Sequence, residues 1–365
     1  MTLTVATALD LPADSPGGSV ELFRDLYAGP EPLIPARAFM LPPHSSASPL
    51  PPGLETLPIN GKCLDGPPFL TYVGALKQAL HTALAATDVD VVHLQHLAFG
   101  ATPALIRALP DHPRIALVHG TDLLFAGEHL TQHFVLAEAV HAASAITVPT
   151  PAMADRLATI VPDLDHSKIV HVPWGIPHHL LTTPLPGGDR PRTGPLRLLY
   201  AGRLTSEKGA LALAQACASV PDVELSIAAP TAEYAALAPQ LHQTGCRPRY
   251  LGWLDRPKLW AAFADHDALA IPSTTLEAFG LIGIEAQACG LPVLYQPVPG
   301  LTDILSDTAL PTDLADPNAL ADTLSKLRND ASTLADLRTS GRANAARFPL
   351  SATAKSLTEL SHAIA

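Results

Sequence analysis

Short apolar runs rich in Val, Ile, Leu and Ala alternate along this chain with stretches whose apolar positions recur every three to four residues. The first kind reads as buried strands and the second as amphipathic helices. The pairs are Leu3–Leu9 with Val20–Tyr27, Val91–Leu94 with Thr102–Leu109, Ile115–Val118 with Leu130–Ala143, and Ile146–Val148 with Met153–Ile160. Such alternation predicts a parallel sheet covered by helices. Between Gly29 and Pro68 the rhythm is less regular, with Ala36–Leu41 and Leu54–Ile59 as candidate short strands in a Pro-rich excursion.

The rhythm breaks at Thr183–Pro195, a Pro- and Gly-rich segment, and then restarts. The second series runs Leu196–Ala201 with Leu211–Ala218, Val223–Ala228 with Ala232–Gln243, Tyr250–Leu251 with Pro257–Phe263, and Ala268–Ile271 with Ile282–Ala288. Val293–Tyr295 and three amphipathic helices follow. The expected fold class is therefore α/β, with two Rossmann-like domains: 1–180, a linker at 181–195, and 196–346. The helix at 347–365 is expected to return toward the first domain.

Composition narrows the function classes. Of 365 residues 47% are hydrophobic and 16% charged, which describes globular cores rather than a disordered polyelectrolyte. The four cysteines are scattered without a C-x-x-C pair, so neither a zinc site nor a disulfide framework is expected. With no long apolar window and no leader-like start, the chain reads as soluble and cytoplasmic, without stable membrane association. The net charge of −11, and eight Lys/Arg against sixteen Asp/Glu in residues 1–170, disfavour nucleic acid and anionic lipid as partners.

The densest chemistry lies in Pro272–Val293. A strand ends at Pro272, a loop carries Glu277, and Gly280 opens a helix that Gly290 ends. The amides of Phe279, Gly280 and Leu281 at the helix start suit a phosphate or sugar hydroxyls. Glu285 sits on a helix that is apolar nearly all round, and a buried carboxylate needs a partner. Taken alone, the two glutamates also read as a cap and a solvated helix face. Ala201–Gly209 follows the first strand of the second series, and there Arg203 and Lys208 can clamp a diphosphate. By itself this segment is also an ordinary βα turn. Ser15–Val20 supplies Gly17 and Gly18 for close backbone approach to a phosphate. In Val118–Asp122 a strand runs into a polar turn that points His119 and Asp122 at one edge.

The segments LEAFGLIGIEAQACGLPV, YAGRLTSEKG, SPGGSVELF, ALVHGTD and ITVPTPAMADRL occur in the order seen in retaining glycosyltransferases of family 4. The chain resembles that family along essentially its whole length. The resemblance implies a GT-B architecture, two Rossmann-like domains facing across a cleft, and a hexose moved from a nucleotide-sugar co-substrate. UDP is the expected nucleotide, with no metal or other cofactor. It implies Glu285 on the ribose and Glu277 on the donor sugar. Arg203 and Lys208 would hold the diphosphate, reached by Gly18, with Gly202 and Trp253 lining the donor site and His119 beside the reacting carbon. His96 and Asp122 are expected on the acceptor side. The expected acceptor is a small hydroxylated molecule, with an aminocyclitol or amino sugar of antibiotic biosynthesis as one candidate. Pro173-Trp-Gly175 departs from the Pro-Asn-Gly usual in the family, and the tail at Phe348 lacks its frequent tryptophan. A sugar-nucleotide epimerase or phosphorylase of the same fold, and a degenerate binding module, remain alternatives. Asp88-Val-Asp90 precedes its strand, unlike the motif of metal-dependent transferases, and no G-x-G-x-x-G is present for a nicotinamide cofactor.

Overall fold

The computed structural model describes residues 3–44, 49–64, 66–182 and 194–365. The chain divides into two compact units, Met1–Pro173 with Leu350–Ala365, and Trp174–Pro349. In the first unit the elements are β1 (Val5–Pro12), α1 (Gly18–Tyr27), β2 (Ala36–Leu41), β3 (Leu54–Thr56), α2 (Pro67–Leu84), β4 (Val91–Gln95) and α3 (Ala101–Ala108). Then come β5 (Arg114–Leu117), α4 (Thr121–Glu128), α5 (Leu130–Ala142), β6 (Ala145–Val148), α6 (Pro151–Ile160) and β7 (Ile169–His171). The sheet order is β3-β2-β1-β4-β5-β6-β7 and the described pairings are parallel. Strands β4, β5 and β6 are buried at every position, as expected where helices cover both faces.

The second unit contains α7 (His178–Thr182), β8 (Leu196–Ala201), α8 (Ala210–Ser219), β9 (Val223–Ala228), α9 (Thr231–Gln243), β10 (Arg249–Gly252) and α10 (Arg256–Ala264). It continues through β11 (Ala268–Ile271), α11 (Leu281–Ala288), β12 (Val293–Tyr295), α12 (Leu301–Leu305), β13 (Leu310–Pro311), α13 (Pro317–Asn329) and α14 (Ala331–Ala345). Its sheet order is β10-β9-β8-β11-β12-β13, again parallel. The last helix, α15 (Leu350–Ile364), belongs to the first unit: it buries Leu350, Ala354 and Leu357, and Thr353 Oγ1 donates to the Pro173 carbonyl at 2.8 Å.

Both sheets reverse their order of winding once, between β1 and β4 in the first unit and between β8 and β11 in the second. Consecutive crossovers diverge there to opposite faces. A crevice therefore opens at the carboxyl ends of these central strands, and ligands of doubly wound sheets bind in it.

Several boundaries differ from the sequence reading. The division falls at Pro173, ahead of the expected 181–195 linker, most of which (183–193) lies outside the described residues. The reason is apolar packing. The Trp174 ring lies 6.0 Å from that of Phe279, Ile176 N–H donates to the Phe348 carbonyl at 2.9 Å, and His179 packs on Trp260. Residues from Trp174 onward thus join the second unit. Helix α2 has no counterpart in the sequence reading, although Phe69, Val73, Leu76, Leu80 and Leu84 form a buried stripe behind Pro67 and Pro68. The turn expected after β5 is instead the start of α4, which Gly120 opens at φ 85°. Ala36–Leu41 supplies the strand after α1, pairing with β1 from Val5↔Ala36 onward. Among the described residues no helix is long and apolar enough to cross a membrane.

Candidate active site

In the second unit the site grows from the two loops that leave β8 and β11. The β8 loop forms a short 3-10 turn at Ser206–Lys208 and ends in Gly209 at φ 68°. A Cβ on Gly209 would lie 2.0 Å from the Pro272 carbonyl oxygen, so only glycine lets this loop lie against the end of β11. Thr274 N–H then donates to the Glu207 carbonyl at 2.9 Å. From the other side Gly300, at φ 87°, presses on the Glu277 carbonyl, to which a Cβ would come within 1.7 Å. Held in this way, Lys208 Nζ meets Glu277 Oε2 at 2.5 Å, and Ser273 Oγ donates to the same oxygen at 2.9 Å. An ammonium and a carboxylate thus sit side by side at the switch point of the sheet.

Of the other residues read from the sequence, Arg203 is half-exposed, with Nε 3.3 Å from Glu233 Oε1, while Glu233 Oε2 accepts the Leu204 amide at 2.6 Å. Glu233 on α9 therefore anchors the loop that Arg203 occupies. Gly202 N–H closes onto the Ala228 carbonyl at 3.0 Å. Gly280 caps α11 in the left-handed region, and Phe279 beside it is fully buried, edge-on to Phe348 at 5.2 Å. Leu281 begins the helix, whose first amides lie outside its own hydrogen-bond ladder. Trp253, 42% exposed, follows β10.

Glu285 is 4% exposed, and its partners come from α10: Arg256 Nη2 lies 3.0 Å from Oε1 and Trp260 Nε1 donates to Oε2 at 3.2 Å. Sequence reasoning missed both partners. The available signal was an Arg and a Trp four residues apart, on one face of the helix that opens with Arg256 and Pro257. These two contacts occupy part of the carboxylate's capacity of about four acceptor sites.

In the first unit the corresponding positions are the ends of β1, β4 and β5. Gly17 caps α1 at φ 140°, and a Cβ placed there would meet nothing within 4 Å, which leaves its backbone open to approach. His96 directly follows β4 and takes φ 50°, a left-handed conformation rare outside glycine. Its ring meets that of His119 edge-on at 4.8 Å. His119 is buried; desolvation pulls its pKa down to about 3, so the imidazole is neutral at physiological pH.

Asp122 is fully buried, its carboxylate accepting from the backbone amides of Leu97 (3.0 Å), His119 (3.2 Å) and Leu123 (3.1 Å). Burial pushes its pKa up to about 6 against these amides. It ties the His96 turn to the His119 turn and faces the unit's interior. A further cluster, missed in the irregular Pro-rich stretch, stands at the end of β1. Lys62 Nζ lies 3.7 Å from Asp10 Oδ1 and 3.8 Å from the centre of the Phe99 ring, while Tyr72 and the Gly100 amide donate to Asp10 Oδ2.

Two doubly wound parallel-sheet units make up the GT-B architecture. The whole chain superposes on sucrose-phosphate synthase from Thermosynechococcus elongatus with TM-score 0.82, 21% identity and coverage of 99% of this chain and 98% of that one. It superposes on Anabaena HepE, solved in complex with UDP and glucose, with TM-score 0.76, 17% identity and coverage of 98% and 99%. The model for glycosyltransferase family 4 matches residues 43–180, and the model for glycosyl transferases group 1 matches residues 188–344. The chain belongs to glycosyltransferase family 4. Among curated relatives it is similar to the D-inositol 3-phosphate glycosyltransferase of Xylanimonas cellulosilytica, at 34% identity over 235 residues. That alignment takes in 58% of this chain and 55% of the relative, so it spans little more than half of the relative's length.

Proposed function

We propose that the chain is a retaining, metal-independent glycosyltransferase that moves a hexose from a nucleoside diphosphate to a small hydroxylated acceptor. The Lys208–Glu277 pair carries this reading. A donor brings a diphosphate and a set of hydroxyls together, which lets each member exchange its partner for substrate: Lys208 turns to phosphate oxygens and Glu277 accepts from sugar hydroxyls. Arg203 can leave Glu233 for the same diphosphate, and the opening amides of α11 add positive potential. Glu285, oriented by Arg256 and Trp260, would accept from the ribose hydroxyls. UDP is the proposed nucleotide, supported by the Anabaena neighbour solved with UDP and glucose.

Because Glu277 holds Ser273 Oγ and is given to the sugar hydroxyls, we assign it to binding rather than to nucleophilic attack. The departing diphosphate oxygen would then take the acceptor proton on the same face of the sugar. Asp122 is given a positioning role, holding the His96 and His119 turns. A cyclitol acceptor is favoured by the name of the inositol-phosphate relative, and a cationic one by the acidic excess of the first unit. NMR of the first-formed product tests the reading: a retained anomeric linkage is expected, and an inverted one rejects the mechanism. Lys208→Ala should lower turnover about 10²-fold or more, in the range for loss of one charge-stabilising donor.

A further inference from the structure

A chain of buried polar side chains runs through the first unit from His119 to the last helix. His119 Nε2 meets Gln95 Oε1 at 2.7 Å, and Gln95 Nε2 reaches both Tyr27 Oη and Thr7 Oγ1 at 3.3 Å. Tyr27 Oη lies 2.8 Å from His93 Nδ1, and His93 Nε2 lies 2.9 Å from Ser361 Oγ on α15. All of these residues are buried, and His93, like His119, is kept neutral by desolvation. Each neutral imidazole therefore has one donor nitrogen and one acceptor nitrogen.

Such a chain has two self-consistent directions, and two hydroxyls outside the line choose between them. Ser361 Oγ donates to the Leu357 carbonyl at 2.7 Å, so toward His93 it can only accept, and the His93 proton must be on Nε2. His93 Nδ1 then accepts from Tyr27, whose oxygen accepts from the Gln95 amide nitrogen. Thr7 Oγ1 donates to the His93 carbonyl at 2.8 Å, so it too accepts from that nitrogen and sets the same amide orientation. Gln95 Oε1 is left facing His119, which must donate from Nε2.

We infer that Ser361 and Thr7 set the tautomer of His119 through His93, Tyr27 and Gln95, holding it as the Nε2–H form with Nδ1 as its lone-pair nitrogen. The five are positioning residues: they act on His119 and not on a substrate. A helix that closes the first unit thereby determines what the ring at the end of β5 presents. Only the expected effect on turnover rests on the proposed donor-side role of His119, because the tautomer is observable without substrate.

The experiment is long-range ¹H–¹⁵N correlation on the full chain labelled in its histidine rings, with a His119→Asn spectrum for assignment. His119 and His93 should both appear as Nε2–H. Thr7→Val combined with Ser361→Ala removes both hydroxyls, and should move His119 to a mixed or Nδ1–H pattern. Thr7 kept with Ser361→Thr retains both hydroxyls and should match the parent spectrum. An Nδ1–H ring in the parent chain overturns the inference, as does an unchanged His119 in the folded double variant. If the double variant does not fold, Ser361→Ala alone decides: Thr7 still orients the Gln95 amide there, so His119 should stay Nε2–H, and a moved His119 ring overturns the inference. Turnover should fall about tenfold in the double variant at unaltered UDP affinity. A changed tautomer with unaltered turnover supports the relay and rejects the donor-side reading of His119.

Discussion

Alanine at Gly300 tests whether backbone contact, rather than side-chain chemistry, holds Glu277 beside Lys208. Two costs add. The residue sits at φ 87° and ψ −51°, a backbone conformation that L-residues rarely adopt and that costs about 1–2 kcal/mol. The same Cβ would also lie 1.7 Å from the Glu277 carbonyl oxygen and 2.9 Å from its carbon, both backbone atoms that no rotamer change can clear. Overpacking of this kind costs about 1–3 kcal/mol, which brings the total to about 2–5 kcal/mol. Gly245 is the internal control: its φ of 81° is nearly the same, yet a Cβ there meets nothing within 4 Å. Gly245→Ala should therefore show the conformational cost alone. The three tryptophans, Trp174, Trp253 and Trp260, all lie in the second unit, so urea unfolding followed by their fluorescence reports on that unit. Gly300→Ala should lower the midpoint well beyond Gly245→Ala, by roughly 1 M urea for slopes of about 1–3 kcal/mol/M. Calorimetry should show weakened donor binding only for Gly300→Ala, since the 277 loop must shift to admit the methyl group. Equal destabilisation by the two substitutions would refute the steric argument.

Three further outcomes are expected. Glu285→Ala should weaken UDP binding by about 1.5–3 kcal/mol, the worth of charged hydrogen bonds, and lower thermal stability by removing a buried carboxylate from Arg256; unchanged affinity in a calorimetric titration would remove Glu285 from the ribose. Turnover should persist in EDTA, and activity lost there but restored by manganese would reject the metal-independent reading. The folded pKa of His119 is depressed from 6.5 to about 3, so its contribution to stability is present above pH 6.5 and is lost as pH falls toward 3. His119→Asn should therefore reduce the slope of unfolding free energy against pH by about 1.36 kcal/mol per unit between pH 6 and 4, and an unaltered slope would show that the ring titrates normally. Asp122, raised to about 6, acts in the opposite sense, since its favourable contribution is lost as pH rises from 4 through 6.

The alternation of apolar runs and amphipathic stretches determined two parallel sheets covered by helices, because period and burial are local consequences of which residues follow one another. Glycine punctuation was equally legible: Gly280 and Gly290 bracket α11 as their left-handed conformations require. Glu277 and Lys208 were readable as chemistry at the ends of strands. Their contact was not, since 69 residues separate them and the link is made by Gly209 against Pro272 and Gly300 against Glu277. Helix α2 has a regular apolar stripe, but the Pro-rich excursion before it carries the turn signals of a loop up to its first residues. What only the tertiary structure decided is the set of partners for groups buried by non-local packing. Arg256 and Trp260 serve Glu285, three backbone amides serve Asp122, and Ser361 reaches His93 from 268 positions away. A sequence states that a buried carboxylate or imidazole must be satisfied; which atoms satisfy it depends on where the chain returns, and that is a property of the packed sheet.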